Sequence, residues 1–194
     1  MDISIPPLNL VELWKIIMYN TKKYDDKNDI IADLRAMEKQ NNEATQKFSD
    51  LIIQLTENIS LVSDDINLKF YKNIIITTIK NNPKLIINTF IAHGYESDNG
   101  NYRKQLILCD DDYIMKNNFE EHTNGDDSLI SKLFQFKSFW SKLSNENKQI
   151  IKMYIAAICY YADIKYINNY KYIEIKKINR VHKDIFAEYD NILK

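Results

Sequence analysis

The sequence predicts an all-α fold, a multi-helix bundle of about six to eight helices, and three observations carry that expectation. From Ser128 to Ala162 two apolar stripes follow one another at the three-and-four spacing of a helix face: Leu129, Leu133, Phe136, Trp140 and Leu143, then Ile150, Ile151, Tyr154, Ile155, Ile158 and Ala162. Between them, Ser144 can accept a hydrogen bond from an orphan backbone N–H, and Glu146 meets the positive end of the helix dipole. The second observation is a stripe running from Ile30 to Val62, and the third is a helix, proline, helix, glycine order from Asp64 to Gly94. No repeat or linker divides the chain, so one helical domain over residues 1–194 is expected.

In chain order, Pro6-Pro7 and Asn9 precede a first helix whose stripe is Leu10, Val11, Trp14, Ile17 and Met18. After a polar break at Asp25 to Asp29 comes a long helix, about 30–62, bearing Leu34, Met37, Ala44, Phe48, Leu51 and Leu55. If Leu34 is a heptad a position, Asn41 is the next, where one Asn can fix the register of a parallel dimer. Such a dimer would oppose Asp33 to the second copy's Glu38, and Ile52 widens the stripe, so an intramolecular or antiparallel helix fits better. Asp64-Asp65 start a helix carrying Ile66, Phe70, Ile74, Ile75 and Ile79, which Asn81-Asn82-Pro83 ends. Pro83 then suits the first turn of a helix from Lys84 to His93, with Gly94 as its C′ residue. Tyr102 to Met115 has mixed periodicity. The helical pair spans 128–163, and a terminal helix of about 176–193 carries Ile178, Val181, Ile185, Tyr189 and Ile192. Between them, Lys165 to Ile175 reads either as continued helix or as a short β-hairpin near 164–175 turning at Asn168-Asn169.

Twenty-six basic and 27 acidic residues give a net charge of −1, so no global field draws the protein to nucleic acid or an anionic membrane. Charge is uneven along the chain. Nine acids face three basic residues from Tyr95 to Asp127, whereas six basic residues face only Glu174 from Ile164 to Lys183. Cys109 and Cys159 lie far apart in apolar contexts and read as buried free thiols of a reducing compartment. The start has no secretory pattern, and the most apolar run, Ile150 to Ala162, is too short to span a membrane and carries Lys152. Ile, Lys, Asn and Tyr make up nearly half the chain, all with A/T-rich codons, so genome composition explains the tyrosine and asparagine abundance.

The search for chemistry yields no catalytic, cofactor or metal residues. His93, His122 and His182 belong to no zinc pattern. Asp110-Asp111-Asp112, Glu120-Glu121-His122 and Asp126-Asp127 could gather round a hard cation if their loops met, yet neither Gly100 nor Gly125 fits the turn of a calcium loop, and solvated acids explain them better. No phosphate-cradling glycine loop exists, and acids beside Cys109 would disfavour its thiolate. Lys171, Lys176, Lys177, Arg180 and Lys183, interleaved with Tyr166, Tyr170 and Tyr172, have the charge-and-stacking mixture used on single-stranded nucleic acid. Phe134 and Phe139 fall off the main stripe and are the candidates for a protein contact.

The segment FQFKSFW-SKLSNENKQIIKMYI, with Pro83-Lys84, Phe90-Ile91 and Asp111-Asp112 upstream, resembles a module of uncharacterised helical proteins from giant, mimivirus-like DNA viruses. Where that module has Ile-Trp, this chain has Ile150-Ile151. The resemblance implies a virus-encoded, non-enzymatic protein of the host cytoplasm or virion, acting through a protein partner. Two alternatives accompany it. One is a viral apoptosis-regulator-like bundle with Ile150 to Ala162 as its buried central helix, although that family's Asn-Trp-Gly-Arg signature is missing. The other is a nucleic-acid-binding module using the basic segment.

Overall fold

The computed structural model describes residues 15, 24, 26–62, 66–96, 101–108, 111–112, 140–179 and 183–190. Among them are six α-helices and no strand: α1 (Lys27–Val62), α2 (Ile66–Asn81), α3 (Pro83–Ile91), α4 (Asn101–Leu108), α5 (Asn145–Ile178) and α6 (Lys183–Tyr189). A π-helix, Ala92–Glu96, continues α3. The fold is all-α, as the periodicities predict.

The frame is an antiparallel pair of long helices. At 36 and 34 residues, α1 and α5 are each about 50 Å long. Their alignment is fixed at three levels: Asn58 Nδ2 donates to Tyr154 Oη at 3.0 Å near one end, Asn168 Nδ2 donates to Asn41 Oδ1 at 3.1 Å midway, and the Tyr24 backbone N–H donates to Asn179 Oδ1 at 3.1 Å at the other end. Asn41 therefore sets register within the chain.

The caps follow the sequence. Ser144 Oγ accepts from the Asn147 N–H at 3.2 Å, starting α5, and Asn82 Oδ1 accepts from the Leu85 N–H at 3.2 Å with Pro83 in the first turn of α3. Gly94 does not stop this helix as a left-handed C′ residue. The chain winds on through the π-helix, and a Cβ on Gly94 would make ordinary contacts with Tyr102 at 3.7 Å and Phe90 at 3.9 Å.

Side chains bury in two clusters. The larger joins Phe48, Ile52, Leu55 and Ile59 of α1 to Ile151, Ile155, Ile158 and Ala162 of α5, under Ile75, Ile79, Ile86, Ile87 and Phe90 of α2 and α3. Trp140, assigned to a core by its spacing, is fully buried there. The smaller gathers Tyr24, Ile30, Leu34, Met37, Tyr172 and Ile175 with Ile185, Phe186 and Tyr189 of α6. Between the two lies a layer of amides, Gln40, Asn41, Asn168 and Asn169.

That layer corrects the hairpin near 164–175. Asn168 and Asn169 do not turn the chain, because their amides reach across to α1, and α5 runs unbroken to Ile178. The helix expected to end at 163 is thus 15 residues longer, and Ile178 belongs to α5, not to the terminal helix, which spans Lys183–Tyr189. Nor is Ile150 to Ala162 a helix buried all round, since Ile150, Met153 and Tyr160 are exposed. The stripe of the first expected helix, the Leu129 to Phe139 half of the pair, Phe134, Phe139, Cys109, Arg180, His122, His182, Asp110 and the acids from Glu120 to Asp127 lie outside the described residues.

Candidate functional site

Of the acids that sequence singled out, Asp111 is turned to structural partners. Asp111 lies 3.0 Å from Lys148 Nζ and 3.1 Å from Lys152 Nζ, and the hydrogen bond from Lys148 holds its carboxyl below the usual range against a smaller opposing effect of burial. Among the described residues no group of three or more His, Cys, Asp or Glu side chains could hold a metal ion.

The basic segment is divided in the same way. Lys171 faces Asp33 at 3.9 Å, Lys177 faces Glu174 at 3.7 Å, and Lys176 contacts both oxygens of Asp190 at 2.6 and 2.7 Å. Tyr166 and Tyr172 are fully buried, one in each cluster, so the interleaved tyrosines do not form an exposed stacking platform. The structure does bring Lys176, Lys177 and Lys183 together with Ile173, Phe186, Ala187 and Asp190 around an open cleft of about 560 Å³.

Two buried ionic features escaped the sequence reading. Asp163 of α5 receives Arg103 of α4 in a two-pronged contact, with Nε donating to Oδ1 at 2.6 Å and Nη2 to Oδ2, while Tyr95 Oη donates to the same Oδ1 at 2.5 Å and lies 3.1 Å from the Cys159 carbonyl. Burial, then the Asp163 charge, pushes the Tyr95 hydroxyl well above its ordinary range. Burial pulls the Arg103 guanidinium down, but the Asp163 hydrogen bond and charge outweigh it. This centre ties the π-helix and α4 to α5. Removing either Arg103 or Asp163 alone would leave a buried charge uncompensated, a cost of about 3–5 kcal/mol. The second feature is Lys165, 1% exposed, whose amine burial lowers to about 8, with Lys84 adding repulsion. Extending the stripe Ile151, Ile155, Ile158, Ala162 by its own spacing reaches 165, so the signal was present in the sequence.

A second concave surface among the described residues lies where the C-terminal end of α1 meets the first turns of α5. Leu55, Ile59, Leu61, Val62, Ile150, Ile151 and Tyr154, with Asn58 and Asn147 as polar members, line a pocket of about 230 Å³. Its lip is apolar and open to solvent: Leu61 is 82% exposed, Val62 53% and Ile150 43%. No charged side chain lines it, so it offers neither an acid–base pair nor an anion clamp. The volume falls below the roughly 300–1,000 Å³ of small-molecule sites, and suits one protruding apolar side chain. No helix among the described residues is long and apolar enough to cross a membrane. No protein-family model, no curated protein and no solved structure matches this chain.

Proposed function

We propose that this protein acts without catalysis, through protein–protein contacts on its helix faces, and that the lip at the α1/α5 end receives an aliphatic ridge of a partner helix. The observation that carries this reading is the uncharged pocket rimmed by Leu61, Val62 and Ile150. The buried Arg103, Asp163 and Tyr95, turned inward on one another, support it, because they serve the fold and present no reactive group to solvent. The resemblance to giant-virus helical proteins adds a setting, the infected-cell cytoplasm or the virion. The test compares affinity capture by the wild-type chain with capture by Leu61→Glu and Ile150→Glu, both at exposed positions that leave helix content intact. A partner held by the wild type and released by both variants is the expected result. Turnover on a substrate panel, or capture indifferent to both substitutions, overturns the reading.

A further inference from the structure

The short helix α6 sits at the other end of the α1/α5 pair, and its seating has the form of a ligand in a groove. Ile185, Phe186 and Tyr189 are buried against Ile30, Leu34 and Met37 of α1 and Tyr172 and Ile175 of α5. An acid flanks this apolar face on each side, and each is gripped from the frame. Asp184 contacts Lys27 Nζ of α1 at 2.6 Å, and Asp190 takes Lys176 Nζ of α5 together with the Tyr172 hydroxyl at 2.7 Å. Tyr172 Oη also lies 2.9 Å from the Phe186 carbonyl, so the one hydroxyl proton is shared between the two acceptors.

At seven residues α6 is far below the roughly 12–15 at which a helix holds itself together in water, so its helicity comes from the groove. Nor does it fill its surroundings. The cleft of about 560 Å³ remains open between its own Lys183, Phe186, Ala187 and Asp190 and the Ile173, Lys176 and Lys177 face of α5.

We propose that the α1/α5 groove is a receptor for acidic amphipathic helices and that α6 is its built-in occupant, displaced when a partner presents a longer helix of the same pattern. That pattern is apolar residues at the relative positions of Ile185, Phe186 and Tyr189, with a carboxylate just before the first and just after the last. The apolar residues match the floor, and the carboxylates match Lys27 and Lys176. A longer helix would carry further acids along the α5 face, toward Lys177, whose ion pair with Glu174 is a 3.7 Å contact within α5. The inference extends the protein-contact reading to a second face, at the opposite end of the frame from the apolar lip.

The test uses the full chain and a fluorescent peptide copying residues 183–190, followed by anisotropy. A resident α6 lowers the peptide's apparent affinity by the fraction of time the groove is open. Asp190→Asn, which loosens α6 without touching the floor, should therefore raise peptide affinity about tenfold or more, and Phe186→Ala should do the same by a different route. Adding Lys176→Gln to Asp190→Asn should lose that gain. A peptide with both acids replaced by lysine should bind neither protein. Equal affinity for wild type and loosened variants, no binding to any of them, or indifference to the peptide's charge overturns the proposal. Leu61→Glu, which tests the lip, leaves this assay unchanged, so the two readings fail separately.

Discussion

Lys165 carries its cost in a direction that pH can reverse. Unfolded, its amine titrates near the ordinary 10.5, whereas burial lowers it to about 8 in the fold. Across that window the unfolded chain binds more protons, so stability rises with pH. Above about pH 10 the trend turns, because Tyr24, Tyr95 and Tyr172, all raised first by burial and also by Asp33, Asp163 and Asp190 respectively, must ionise on unfolding. Urea midpoints measured between about pH 7.5 and 9.5 should climb by the equivalent of roughly 1–2 kcal/mol in the wild type and stay flat in Lys165→Met. A flat wild-type profile would contradict the burial argument. At this scale the sequence is half legible. Periodicity puts position 165 on the buried face, but nothing local says that a lysine there stays buried and does not snorkel out. Arg103 was less accessible still, because it lies in a segment of mixed periodicity and its carboxylate is 60 residues away.

The amide layer between the clusters explains why α5 was hard to read and what it does for the pair. Asn168-Asn169 followed by Tyr170 to Ile175 has the local character of a turn and a strand, and tertiary contacts override it. The two amides find their partners on α1, which removes the competition that Asn side chains usually offer the helix backbone. Asn41→Leu should therefore cost about 1–3 kcal/mol, since Asn168 then faces an apolar group, while Asn41→Leu with Asn168→Leu should recover most of the loss. Urea unfolding of the two single variants and the double completes the cycle, and strictly additive losses would show that the pair is not coupled. By contrast, the caps at Ser144 and Asn82 and the start at Pro83 were readable because they act within one turn of chain.

Among the described residues the α1/α5 frame carries two unequal cores. Twenty of the described residues are buried in the larger cluster and nine in the smaller, so the α6 end should open first. Hydrogen exchange is expected to release Ile30 to Met37 and Tyr172 to Ile175 before Phe48 to Ile59 and Ile151 to Tyr166, and uniform protection along α1 and α5 would refute this order. Helix content was visible in the sequence, yet which helix pairs with which was not, because the contacts that decide it join residues 128 apart, as between Asn41 and Asn169. That separation governs how the chain leaves the ribosome. At roughly 5–20 residues per second, the apolar stripe of α1 is made some 6–25 seconds before the α5 residues that cover it. Throughout that interval α2 and α3 can already pack on α1, and the part of the stripe that α5 alone covers stays exposed on the nascent chain.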